Sequence, residues 1–145
     1  WLAVQKKLST HDRIQSFTPG PLACTLCYKG MEDHSHLFFN CTYSGFIWQD
    51  LKRRMKINTN ANTWEDIVIW SARVWSKKKA AHIIPKMAIG ASIYHLWRER
   101  NTRTFRHEFK TKERILQDIC TYMRAHISIK WKHDINKQGY MDVWD

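Results

Sequence analysis

Apolar side chains recur at helical spacing in several stretches of the chain, and polar residues separate them. Ile47, Trp48, Leu51 and Met55 form one stripe, with Lys52, Arg53, Arg54 and Lys56 filling the opposite face. A polar break, Asn58-Thr59-Asn60-Ala61-Asn62, ends it. Thr63-Trp64-Glu65-Asp66 then has the form of an N-cap followed by acids, which the positive end of a helix dipole favours, and it leads into Ile67 and Trp70. This helix is expected to stop near Ser76, before Lys77-Lys78-Lys79. Pro85 suits the first turn of the next helix, whose stripe is Ile89, Ile93, Leu96 and Trp97 and which should run to about Thr104. Thr111 caps the last one, where Ile115, Leu116, Ile119, Met123 and Ile127 share an arc and Arg114 and Asp118 face water.

The first 23 residues are less regular. Trp1, Leu2, Val4 and Leu8 are apolar, Thr10 can cap a turn running to Phe17, and Thr18-Pro19-Gly20-Pro21 ends that turn. The predicted architecture is mostly α: a small helical domain of four to five helices with few strands and, near the N-terminus, a loop in which Cys24, Cys27, His34, His36 and Cys41 cluster, donors that a zinc ion would clip together. Residues 1–56 are accordingly expected to form a zinc-binding subdomain and residues 57–145 a basic helical C-terminal subdomain, packed as one unit.

Charge changes this picture. The chain has 145 residues with 24 Lys and Arg against 13 Asp and Glu, a net charge of +11. Residues 1–50 carry four basic and four acidic side chains, so the whole surplus lies beyond residue 50. Such a field attracts polyanions, of which nucleic acid and anionic membrane surface are the two common kinds. Eight Trp among nineteen aromatic residues supply a core and exclude disorder throughout. No apolar run reaches the roughly 18–20 residues of a membrane span, and the chain opens without Met or a signal peptide. The expectation is a soluble fragment from a reducing intracellular compartment, nuclear or cytoplasmic.

Three of the four cysteines lie within eighteen residues, CTLCYKGMEDHSHLFFNC. A tetrahedral zinc site needs four soft or borderline donors. Cys24-x2-Cys27 supplies two thiolates from one tight turn, and a His followed by Cys41 closes the site from the far side. Spacing alone admits either His34 or His36 as the third ligand. Three thiolates and one imidazole leave no open coordination position, so one structural zinc is expected, not a water-activating one. Cys120 lies on the arc of the last helix and is assigned to the core.

Cys24-Thr25-Leu26-Cys27, Glu32, His36-Leu37-Phe38-Phe39-x-Cys41 and Ile47-Trp48 together resemble the zinc-binding domain that follows the reverse transcriptase in plant LINE-type non-LTR retrotransposon polyproteins. Leu8-Ser9-Thr10-His11-Asp12-Arg13-Ile14 is similar to that family's lead-in, and Ile93 to Asn101 with Arg103 and Phe105 to the end of those polyproteins. The resemblance implies His36 as the ligand and an accessory module that binds template RNA or target DNA. The chain has no room for a polymerase palm and no nuclease pattern, so no enzymatic activity is expected of it.

Candidate nucleic-acid contacts are Lys52, Arg53, Arg54 and Lys56, the turn Lys77-Lys78-Lys79, and Arg98, Arg103 and Arg106. Phe38, Phe39 and Tyr28, in or beside the zinc loop, are candidates for stacking on unpaired bases, with a plug between the helices as the alternative for Phe38. Arg100 falls beside Ile93 and Leu96 on a helical wheel, which predicts a half-buried stem and a head paired to an acid or carbonyl. Trp48, Trp70 and Trp97 are read as core, and His11-Asp12 and His126 as structural. The expected partner is RNA or DNA bound with little sequence preference. The competing reading is a domesticated protein–protein interaction module whose basic face meets an acidic protein. A nuclease or toxin is disfavoured by the closed ligand set.

Overall fold

A computed structural model of the chain describes residues 2–17, 20, 23–75, 80–130 and 137–145. Trp1, most of the Pro19/Pro21 turn and Lys77-Lys78-Lys79 lie outside the described residues. Helices dominate: α1 (His11–Ile14), α2 (Thr42–Arg54), α3 (Trp64–Trp75), α4 (Ala80–Arg106), α5 (Lys112–Lys130) and α6 (Lys137–Met141). A π-helical turn, His36–Asn40, precedes α2, and a 3-10 turn, Asp142–Trp144, follows α6. Among the described residues there is no strand, only an antiparallel bridge between Ala23 and Met31.

Two of the three expected threonine caps form: Thr63 Oγ1 accepts Asp66 N–H at 3.2 Å, and Thr111 Oγ1 accepts Arg114 N–H at 3.2 Å, whereas Thr10 precedes α1 without a side-chain cap bond. α4 departs from expectation at its start. It begins at Ala80, which places Pro85 inside the helix rather than in its first turn. A proline there forfeits one i→i−4 bond, and burial of Pro85 and Ile84 accompanies that loss.

α4 packs along α5, α2 contacts both, α3 lies on α4, and the π turn sits against α2, α3 and α4. Leu37, Phe38, Ile47, Trp48, Leu51, Ile67, Leu96, Ile119, Met123 and Ile127 form one buried cluster. Trp144, which periodicity did not single out, closes the same cluster from the C-terminal turn. Among the described residues no helix is long and apolar enough to cross a membrane.

Candidate metal centre

The loop between Ala23 and Met31 is a knuckle. Cys24 N–H donates to the Gly30 carbonyl at 2.9 Å and Tyr28 N–H to the Cys24 carbonyl at 2.7 Å, folding Cys24 and Cys27 toward each other. Gly30 turns at φ +67°, and a Cβ on it would stand 3.4 Å from the His36 ring, so glycine serves both the turn and the ligand's approach. The far side comes from the π turn. Its Cys41 N–H reaches back five residues to the His36 carbonyl at 2.8 Å, bringing Cys41 beneath His36. Asp33 Oδ1 fixes the start of that turn by accepting His36 N–H at 2.7 Å.

Cys24 Sγ, Cys27 Sγ, His36 and Cys41 Sγ thus converge, with all four ligand atoms within 4.8 Å of one another. Cys24 and Cys41 sulfurs are 3.9 Å apart, and Cys27 Sγ is 3.3 Å from His36 Nε2. A tetrahedron with zinc bond lengths has edges of about 3.5–3.8 Å, so the donor set fits one zinc ion. The cysteines are free thiols, far from disulfide contact. Chemistry agrees with geometry. The neighbouring Cys41 sulfur and burial push the Cys24 thiol well above its ordinary value, whereas the Cys24 thiol and the N–H groups of Tyr43 and Ser44 hold Cys41 down to about 5. Without a cation only Cys41 is held toward the thiolate; zinc bound to all three sulfurs would displace the remaining thiol protons and supply the charge and the cross-link.

His36 is therefore the histidine in the cluster. His34 turns the other way. It is buried edge-on between Phe38 and Trp64, with ring centroids 4.8 Å and 4.2 Å away, and burial lowers its pKa.

Two buried ion pairs clamp the knuckle from α4. Glu32 Oε1 meets Arg100 Nε at 2.9 Å and Nη2 at 2.8 Å, and Glu32 Oε2 accepts the Thr25 hydroxyl at 2.8 Å and the Thr25 N–H at 3.2 Å. Burial alone would raise the Glu32 pKa, but the hydrogen bonds and charge of Arg100 overcome it and hold the carboxyl below its ordinary range. Arg103 Nη1 donates to the carbonyls of Thr25 and Leu26 at 3.2 Å and 3.0 Å, its Nε pairs with Glu99 at 2.7 Å, and its Nη2 reaches the Lys110 carbonyl at 2.7 Å. Thr25 is thus held on both its N–H and its C=O side, and Leu26 at its carbonyl. Arg100 has the acid partner its wheel position implied. Glu32 and Glu99 had no assigned role.

Several expected nucleic-acid contacts lie elsewhere. Arg103 is corrected to a buried structural residue, 7% exposed, because its donors are spent on Glu99 and three carbonyls. Phe39 is 4% exposed and packs between Trp48 and Trp64, so it cannot stack on a base. Lys52 is 8% exposed, with Nζ on Asn62 Oδ1 at 2.6 Å. Arg53 and Arg54 both pair with Asp50, Arg53 from an exposed position, while Lys56, Arg98, Arg106 and Tyr28 are exposed. Leu96, Arg100 and Arg103 are spaced i, i+4, i+7, and that spacing is the signal by which Arg103 could be recognised as inward-facing.

Searches of curated proteins and of solved structures found no match to the chain. Residues 1–48, which contain all four ligands, match the family model for zinc-binding in reverse transcriptase, and this chain is in that segment similar to the zinc-binding domain of retrotransposon reverse-transcriptase polyproteins.

Proposed function

We propose that the chain is a non-catalytic, zinc-dependent nucleic-acid-binding module of a LINE-type retrotransposon polyprotein, using zinc to fix the fold and its basic surface to hold RNA or DNA with little sequence preference. The observation that carries this reading is the placement of the basic surplus. After Arg103 and Lys52 are removed from the tally, Arg53, Lys56, Arg98 and Arg106 still face solvent, and neither Arg98 nor Arg106 has a carboxylate partner among the described residues. Unneutralised guanidinium groups on a chain of net charge +11 suit phosphates. A non-catalytic role is supported by the donor set, whose four protein ligands saturate a tetrahedral zinc and leave no position for water.

Salt titration tests it. If about four phosphates are neutralised, log affinity for duplex falls linearly with log salt at a slope of roughly −3 to −4. Charge reversal at Arg53 and Lys56 flattens that slope and leaves zinc content unchanged. Failure of the zinc-loaded chain to bind RNA or DNA at physiological salt, with tight and salt-insensitive binding to an acidic protein, would establish the interaction-module reading instead. Metal-dependent nicking by the purified chain, abolished by a point mutation within it, would overturn the non-catalytic assignment.

A further inference from the structure

The outer face of α4 carries a stripe that neither the zinc site nor the core uses. Tyr94, Arg98, Asn101, Thr102 and Phe105 fall at i, i+4, i+7, i+8 and i+11, which places them on one side of the helix. They line a groove of about 590 Å³ between α4 and the turn into α5. Tyr94 is 56% and Phe105 74% exposed; the Tyr94 ring meets the His95 ring at right angles with centroids 5.2 Å apart, and more than half of it stays open to water. Between and beside them stand Arg98 and Arg106, exposed and without an acid partner among the described residues. Lys110, whose Nζ is 2.7 Å from Asp118, and Asp118 itself form part of the other wall; the exposed Glu108 lies on the rim.

We propose that this groove binds a short stretch of single-stranded nucleic acid, with Tyr94 and Phe105 as stacking platforms and Arg98 and Arg106 as phosphate contacts. The proposal rests on the nucleic-acid reading above and names its site. Three observations select this ligand class. Aromatic faces open to solvent can stack only on bases whose own faces are free, which a duplex does not offer. Guanidinium groups alternating with those rings match the alternation of base and phosphate along a strand. The stripe spans eleven residues of helix, about 16 Å, the length of some five stacked nucleotides at 3.4 Å each.

The test uses the zinc-loaded chain and labelled homopolymer oligonucleotides of about 12 nucleotides, in RNA and DNA form, beside a hairpin duplex. Tyr94→Ala and Phe105→Ala each weaken single-strand binding about 5- to 150-fold while duplex affinity, zinc content and melting stay as in the parent. Phe105→Trp restores single-strand binding, which a merely structural role would not predict. Arg98→Ala with Arg106→Ala reduces the single-strand salt slope by about 1.4, two phosphates at 0.7 each. Single-strand binding at parental affinity in both aromatic variants, or an equal loss on single strand and duplex, overturns the groove and leaves the general reading standing. Absence of any nucleic-acid binding by the parent overturns both.

Discussion

One helix, α4, carries arginines in two opposite situations. On its inner face Arg100 and Arg103 are 2% and 7% exposed, and their donors are spent on Glu32, Glu99 and the backbone of the zinc knuckle. On its outer face Arg98 and Arg106 are exposed and have no acid partner among the described residues, with Tyr94 and Phe105 beside them. Residue type is the same, yet burial decides the use. An arginine inside a low-dielectric core is tolerable only when an acid and carbonyl oxygens meet it, and it then acts as a clamp. An arginine at the surface costs little and keeps its donors for a ligand. The inner face serves stability and the zinc knuckle, and the outer face is the one the proposed binding would use.

The sharpest way to break this division is to remove the metal. Zinc contributes an apparent ~10–16 kcal/mol in small zinc-finger peptides, so Cys27→Ser or a strong chelator should abolish the cooperative melt of the loop. Native mass spectrometry should count one zinc in the parent and none in Cys27→Ser. His36→Ala should also lose it. His34→Phe should keep it, since that ring packs between Phe38 and Trp64 away from the cluster. Zinc retained by His36→Ala and lost by His34→Phe would reassign the ligand.

Breaking the inner clamp comes next. Removing one partner of a buried ion pair costs about 3–5 kcal/mol, because the other charge is stranded. Arg100→Met and Arg103→Met should each destabilise the protein by that much. Arg103→Met should also weaken zinc about 10- to 100-fold in chelator competition, as loss of a group supporting a metal ligand commonly does. Undiminished zinc affinity in that variant would show that α4 merely packs beside the knuckle. Phe39→Ala belongs with these, not with binding variants. Its ring is buried against Trp48 and Trp64, and truncating such a residue costs about 3–5 kcal/mol with equal consequences for single strand and duplex.

The helices and the three zinc-binding cysteines were legible because each rests on a short-range rule, whereas spacing left His34 and His36 open and the family resemblance pointed to His36. A 3.6-residue stripe located α2 to α5, threonine caps located two starts, and the Cys-x2-Cys spacing announced the knuckle. What escaped depends on distance in sequence. Glu32 and Arg100 are 68 positions apart, and nothing local pairs them. Phe39 lies two positions before the ligand Cys41 and looked available, but the π turn rolls it inward. Lys52 has a polar head, yet Asn62 receives it across the loop after α2. Arg103 could have been assigned correctly, since it continues the arc of Leu96 and Arg100. The start of α4 was missed because proline is a strong signal for a first turn and only packing shows that the helix begins earlier.

On the outer face, effects on stability should nearly vanish. Arg98→Ala and Arg106→Ala remove exposed side chains with no ion-pair partner, and such changes usually stay within about 0.5 kcal/mol. Melting at parental temperature, together with a lower salt slope for binding, is the expected pair of results. A drop in stability comparable to Arg103→Met would erase the distinction between the two faces.

The smallest expected effect is the most discriminating, because it is a gain. Asp118 lies at the groove and holds two cations, Lys110 at 2.7 Å and Arg114 at 3.4 Å. Asp118→Asn removes a negative charge that a bound phosphate would otherwise face, and it releases both cations for that phosphate. At about 6 Å in water two unit charges interact by about 0.7 kcal/mol, roughly threefold in affinity before salt screening. Asp118 is 20% exposed, but its cations Lys110 and Arg114 are 48% and 60% exposed, so breaking these pairs should cost stability about 1 kcal/mol. Single-strand affinity at low salt should therefore rise about two- to threefold while the melt moves little. Asp66→Asn on α3 changes net charge by the same unit outside the groove, and it should leave affinity almost unchanged. Equal gains in the two variants would mean that the ligand senses only the overall charge of the chain. A gain confined to Asp118→Asn would place the phosphate beside α4 and α5.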